Sequence, residues 1–339
     1  MKKQIGLLLC AALLLSALSG CAGAPAQSAA PSGSGRPLRV VATIFPVYDW
    51  AREVLGERLG DTELTLLLDD GADLHSYQPT VDDMVKIGAC DVFLYVGGES
   101  DEWVGDALRG TANDERIALN LLETLGDAAK EEEHLEGMQE DPDHPHDHDE
   151  DQDHGHSAEE PEYDEHIWLS LRNAAALCQT IADAFGAADP DHREAYARNA
   201  AAYGEKLAAL DAQIAAAVEA APHRALLFGD RFPFRYLADD YGLEAYAAFS
   251  GCSAETEASF ETVVFLANKV DELGLPAVLT LESSDGRIAR TIVENTGTRS
   301  AQILRMDSMQ SVTAQEAAQG KTYLGAMEEN FAVLRQALQ

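Results

Sequence analysis

Seven of the chain's 10 histidines fall between His134 and His166, in a tract that carries 17 carboxylates from Glu131 to Glu165 and no Lys or Arg. Its centre reads DPDHPHDHDEDQDHGH. Neutral imidazole is a favoured ligand for borderline divalent ions, and the surrounding carboxylates lower the local potential that draws them in. Solubility alone would need only Asp and Glu, so the alternation of His144, His146 and His148 with acids points to contact with a transition metal, zinc foremost. His134, His154 and His156 extend the set. A segment this polar cannot bury enough apolar surface to fold, so it is expected to be a solvated, disordered arm at about 131–164.

Outside the arm stand His75, His166, His192 and His223. His75 lies in DLHSYQPTVDD, between an apolar run ending at Leu68 and a helical segment beginning at Thr80. A loop at the carboxyl end of a strand is where ligand residues gather in open α/β sheets. His166, in DEHIWLSL, sits where the arm rejoins apolar sequence. His192 and His223 flank a long helical stretch and read as structural.

The elements that must hold these residues alternate in type. Residues 38–45, 62–68 and 90–97 read as buried strands, with helices at 47–55 and 80–88 between them, and ERIALNLLE closes the pattern. Continuous apolar strands separated by helices imply a parallel sheet covered on both faces. From 190 to 221, apolar positions at Tyr196, Ala200, Tyr203, Leu207, Leu210, Ile214 and Val218 keep three- and four-residue spacing, the signature of one long helix. The alternation then restarts, with strands at 225–230, 243–249, 277–284 and 301–307 and helices at 233–241, 259–274, 287–296 and 323–338. The expected fold is α/β: two Rossmann-like lobes, 37–189 and 222–339, each a parallel sheet flanked by helices, joined by a long backbone helix.

Residues 1–20 read as a signal peptide, with Lys2 and Lys3 ahead of an apolar run too short to span a bilayer. LSGC, ending at Cys21, resembles a bacterial lipobox, in which the Cys21 thiol is lipidated; residues 21–36 then form a flexible tether. A formal net charge of −35 argues against nucleic acid, whose phosphates need clustered Lys and Arg. Cys90, Cys178 and Cys252 are widely spaced without a CxxC pair, which supports no thiolate zinc site and reads as small buried hydrophobes. HExxH, Gly-x-Ser-x-Gly and Cys/His constellations are missing, so no enzyme is expected.

From about Leu38 to the C-terminus the chain resembles the zinc- and manganese-binding lipoproteins of ABC importers, the cluster A-I solute-binding proteins. LHSYQPTVDDMVKIGACDVFLYVGGESDEW is similar to the family's His-x-Tyr-x-Pro-Ser/Thr stretch with its following helix, strand, glycines and Glu-x-Trp. EHIWLSLRNA is similar to the family's Asp-Pro-His-x-Trp-Leu-Asp-Pro, departing from it at Glu165 and Ser170. The resemblance implies that His75 and His166 are metal ligands. GDRFPFRYLADDYGL puts Arg231 where the family has a His or Glu. A guanidinium cannot ligate a cation, so the neighbouring Asp230 is the candidate, the alternative being an Asp230–Arg231 pair beside a water ligand. LRMDSM resembles the family's late strand ending in an Asp, which implies Asp307. Glu282, in LTLESS, matches a family glutamate and is expected, with Arg231, to line the cleft without ligating.

The reading that follows is an extracytoplasmic receptor, monomeric and tethered to the membrane through Cys21, that delivers Zn²⁺ to the permease of an ABC importer. Mn²⁺ is the alternative cargo, since Asp230 and Asp307 would supply the hard oxygens it favours. A surface adhesin or metal buffer without transport is the other alternative.

Overall fold

The computed structural model describes residues 36–110, 113, 115–139, 162–253 and 257–339. Eight strands form two four-stranded sheets, both wholly parallel. The first has the order β2-β1-β3-β4, from Leu38–Ala42 (β1), Thr62–Leu66 (β2), Val92–Tyr95 (β3) and Ile117–Asn120 (β4). The second repeats the pattern as β6-β5-β7-β8, from Ala225–Phe232 (β5), Glu244–Ser250 (β6), Ala277–Leu281 (β7) and Gln302–Met306 (β8). β7 is buried at every position, as a strand covered by helices on both faces must be.

Local chemistry sets the helix starts. Among the described residues, Phe45–Leu55 (α1) begins with Pro46 in its first turn. Val81–Ala89 (α2) opens on a capping box, Thr80 with Asp83. Trp103–Arg109 (α3) and Leu121–Leu125 (α4) complete the first lobe's short helices. Leu171–Ala188 (α5) is capped by Ser170. Arg193–Ala220 (α6), 28 residues and so about 42 Å long at 1.5 Å per residue, runs between the lobes. Its buried residues are the seven that the sequence spacing singles out, Tyr196 to Val218. The second lobe adds Arg235–Tyr241 (α7), Phe260–Leu273 (α8), Arg287–Asn295 (α9), Ala314–Ala318 (α10) and Tyr323–Ala337 (α11).

The two lobes share one apolar core. Trp50, Phe93, Trp168, Phe228, Met306 and Tyr323 belong to a single buried cluster that runs through both sheets. Within it the Trp168 indole donates to the Ser308 carbonyl at 2.8 Å, and the Tyr323 hydroxyl donates to the Trp168 carbonyl at 2.6 Å. No helix among the described residues is long and apolar enough to cross a membrane.

The acidic tract departs from the arm expected at 131–164 at both of its roots. Glu131 bridges Tyr163 in antiparallel fashion, with Glu132 N–H donating to the Glu162 carbonyl and Asp164 N–H to that of Lys130, both at 2.8 Å. Residues 131–139 then lie across the second lobe, where Met138 is buried and Gln139 N–H donates to the Ala248 carbonyl at 3.0 Å. Leu135 and Met138 give this stretch the apolar anchors that the tract's centre lacks. His134 sits on its exposed flank, whereas His144, His146, His148, His154 and His156 lie outside the described residues. So do the leader, Cys21 and its tether.

Candidate metal centre

Loops at the carboxyl ends of the strands converge on two imidazoles. His75 is carried by a one-turn helix, Leu74–Ser76, on the β2–α2 connection, and the Asp73 side chain caps that turn by accepting from His75 N–H at 3.1 Å. His166 directly precedes the turn Ile167–Leu169. The Nε2 atoms of His75 and His166 are 3.3 Å apart. Each ring is fixed from behind through its other nitrogen. His166 Nδ1 lies 2.9 Å from an Asp164 oxygen, and His75 Nδ1 lies 2.8 Å from Ser100 Oγ. An oxygen acceptor at Nδ1 places the ring proton there and leaves the Nε2 lone pair free to bind a cation.

Burial keeps the His75 ring neutral. It pushes the His75 imidazole down to about 3, helped by the neighbouring His166 and Arg231 and opposed by Asp73. Behind His75 stands Glu165, whose Oε1 accepts from Ser100 N–H at 2.8 Å and whose buried Oε2 has no hydrogen-bond partner. Burial raises its carboxyl to about 7, against the bonds from Ser100. Glu165 packs on a bare backbone: a Cβ at Gly98, where φ is +81°, would come within 2.4 Å of Glu165 Oε1. The glycine pair after β3 therefore does specific work.

Gln310, beyond the end of β8, completes the cluster from the second lobe. Its side-chain nitrogen is 3.0 Å from His75 Nε2 and 2.7 Å from His166 Nε2. A half-turn of the amide presents Oε1 at the same place, and that oxygen is a competent metal donor. Glu282 shapes this loop: its two oxygens accept from Ser308 N–H at 2.8 Å and Ser308 Oγ at 2.7 Å. Both oxygens thus support the loop.

Two carboxylates expected as ligands are engaged elsewhere. Asp307 forms an ion pair with Lys321 at 2.7 Å and accepts from Met309 N–H at 2.8 Å, so its charge is matched outside the histidine cluster. Asp230 accepts from Leu281 N–H at 3.2 Å and from Arg231 N–H at 2.9 Å. The cause is a break in the β5–β6 register between Phe228 and Arg231, which turns Asp230 toward β7. Arg231 does not pair with the Asp230 carboxylate: its guanidinium reaches Asp73 in the other lobe at 2.7 Å. Gln310 and not Asp307 is the late residue that faces the ring nitrogens.

Cys252, read from the sequence as a small buried hydrophobe, lies beside the two histidines. Its sulfur and one donor atom of each histidine all lie within 4.8 Å of one another, the sole such grouping among the described residues. β6 delivers it: the strand ends at Ser250 and turns through Gly251, where a Cβ would come within 2.8 Å of His166. The Gly-Cys pair at a strand's carboxyl end was the available signal. Burial raises the Cys252 thiol's pKa, and Glu132, Glu165, Asp164 and Glu99 raise it further. Cys252 also borders a cavity of about 870 Å³ whose lining includes Glu99, Glu102, Glu123, Glu131 and Glu162, at the roots of the acidic tract. Cys90 and Cys178 are buried and free, in keeping with small core residues. His192 pairs with Asp189 at 2.7 Å, and His223 N–H donates to the Leu338 carbonyl at 3.3 Å, so both serve the ends of α6.

Two α/β lobes on a connecting helix, with facing imidazoles where their strand ends meet, define the solute-binding class of metal proteins. The chain belongs to the ZnuA family, zinc-uptake complex component A periplasmic, whose pattern matches residues 40–337. It is 30% identical over 299 residues to the zinc-binding lipoprotein AdcA of Streptococcus pneumoniae serotype 4, covering 88% of this chain and 55% of that protein. It therefore spans about half the length of the AdcA relatives it matches. With the high-affinity zinc uptake system protein ZnuA of Bacillus subtilis it shares 27% identity over 337 residues, 99% of this chain and 98% of that one. The crystal structure of the Zn(II)-bound ZnuA-like domain of S. pneumoniae AdcA superposes with a TM-score of 0.67 at 26% identity, covering 89% of this chain and 99% of that domain.

Proposed function

We propose that this chain is an extracytoplasmic receptor that binds Zn²⁺ between its lobes and surrenders it to an ABC-type importer, making and breaking no covalent bond in its cargo. The observation that carries the reading is the pair of Nε2 atoms 3.3 Å apart, each ring held through its far nitrogen. Two nitrogens bound to one tetrahedral zinc at about 2.05 Å stand about 3.3 Å apart, so the rings already span one edge of that polyhedron. Relatives named for zinc binding and zinc uptake support the same cargo. Manganese loses its main support, because the oxygens of Asp230 and Asp307 are committed to backbone amides and to Lys321.

Delivery follows the family to which the chain belongs. The receptor is read as a monomer held to the membrane through a lipid on Cys21, with the His-rich tract gathering ions near the site. Competition titrations of the purified protein with a zinc chelator test the cargo: tight zinc binding with at least a hundredfold preference over Mn²⁺ is expected, and equal affinity would overturn it. Deleting the gene should make growth dependent on added zinc, and growth that is indifferent to zinc would remove transport from the reading.

A further inference from the structure

A buried Zn²⁺ needs negative charge beside it, and two neutral imidazoles with one amide supply none. The nearby carboxylates stand in the wrong places. Asp164 contacts His166 at Nδ1, and Glu165 lies 3.7 Å from His75 Nδ1, so both act behind the rings. Asp230 and Asp307 are committed elsewhere. The Cys252 sulfur and one nitrogen of each ring all lie within 4.8 Å of one another. Tetrahedral zinc with Zn–N about 2.05 Å and Zn–S about 2.3 Å needs nitrogen-to-sulfur separations of about 3.6 Å, so a sulfur within 4.8 Å has at most about 1.2 Å to close. The short turn after β6 sets this position, and only a glycine at 251 lets that backbone lie against the His166 ring.

We propose that Cys252 binds the cargo as a thiolate, completing a site with the His75 and His166 imidazoles and with the Gln310 amide oxygen in the fourth position. This deepens the zinc-receptor reading and rests on it. On binding, the S–H bond breaks, an S–Zn bond forms and the proton passes to solvent. A thiolate makes the donor set softer than an imidazole–carboxylate one. It favours Zn²⁺ over Mn²⁺, Mg²⁺ and Ca²⁺, which prefer oxygen. It also fills the role left open by Arg231, which holds the His75 turn in place of donating to the ion.

Cobalt(II) reports the ligand directly. The full chain, kept reduced and loaded with Co²⁺, should show an intense sulfur-to-cobalt charge-transfer band in the near ultraviolet together with tetrahedral visible bands. Cys252→Ser should lose the charge-transfer band and bind zinc at least tenfold more weakly in chelator competition, the lower end of what outer-sphere changes alone cost. A second readout needs no substitution: zinc should protect the Cys252 peptide of the unaltered protein from alkylation, as read by mass spectrometry. Tight cobalt binding that depends on His75 and His166 but lacks the band, with Cys252 alkylated equally with and without zinc, would overturn the thiolate and leave the zinc site standing. Failure of the unaltered protein to bind zinc or cobalt would overturn both.

Discussion

Asp73 joins Arg231 to His75: one carboxylate oxygen accepts from the guanidinium at 2.7 Å, and the other accepts from the His75 backbone N–H at 3.1 Å. The salt bridge crosses from β5 of the second lobe to the turn that carries His75, a proposed ligand, in the first. A cation beside a cation site is costly in itself. Here its charge is neutralised by Asp73, so its effect on the ion is mainly positional. Arg231→Met should weaken zinc binding about three- to tenfold through a looser His75 turn, with a smaller loss in Arg231→Lys, whose ammonium cannot reproduce the guanidinium geometry. Chelator competition reads both. Tighter binding in Arg231→Met would mean that repulsion outweighs positioning.

His75→Ala and His166→Ala each remove a nitrogen that water replaces poorly. Each should lower zinc affinity by far more than tenfold, since changes one layer farther out already cost about 10–100-fold. Calorimetry on the two variants checks this. Unchanged affinity in either one would be incompatible with the site.

Asp230→Ala should spare most of the zinc affinity and lower thermal stability. The carboxylate reaches from the bulged strand β5 to satisfy Leu281 N–H in β7, and an unmet buried amide costs about 1–3 kcal/mol. Asp307→Asn should likewise bind zinc within about threefold of the parent while losing the charge pair with Lys321. Loss of tight binding in either variant, with the melting temperature preserved, would restore that residue to the ligand set.

Replacing residues 141–160 by a short Gly-Ser linker removes His144, His146, His148, His154 and His156 and leaves the paired roots at Glu131 and Tyr163. The tightest zinc site should survive and the additional weak sites should vanish from the titration. Disappearance of the tightest site would place the primary donors in the tract.

Asp49 gives a pH test away from the metal. Burial lifts its carboxyl to about 6 against the bond from Tyr323 N–H and the Arg52 charge. The folded state thus holds this proton more tightly than the unfolded chain, whose carboxyl titrates near 3.8. The charged form opposes folding above pH 6, and the penalty fades as pH falls from 6 toward 4. Asp49→Asn keeps an acceptor for Tyr323 N–H. Its stability relative to the parent should improve between pH 4 and pH 8 by up to about 3 kcal/mol, from 1.36 kcal/mol per unit. Denaturant unfolding of both proteins at the two pH values measures it, and a constant gap would show that the carboxyl titrates normally.

Both sheets and the long helix were legible because apolar runs and helical spacing are local signals, and burial chose the same faces. α5 escaped, although Leu171, Ala174, Cys178, Ile181 and Phe185 keep helical spacing, because the reading followed the alternation of strands. The meeting of His75 and His166 was legible from their motifs and their places beside strand ends. The surroundings of the candidate site were not, for a physical reason in each case. Asp230 turned away at a bulge that no spacing announces, and Asp307 was claimed by Lys321 after the chain doubled back. Cys252 and Gln310 lie far from the histidines in sequence and meet them only because parallel strands all release their loops at one edge.

The Trp168 indole, sealed in the shared core and bonded to the Ser308 carbonyl, ties the two lobes together. A clamshell that opens by swinging its halves apart would have to pull this ring from its socket and expose apolar surface on both sides. The Leu74–Ser76 turn, by contrast, is a single turn of helix, anchored by the buried Leu74 and tied to the second lobe through the Asp73–Arg231 pair.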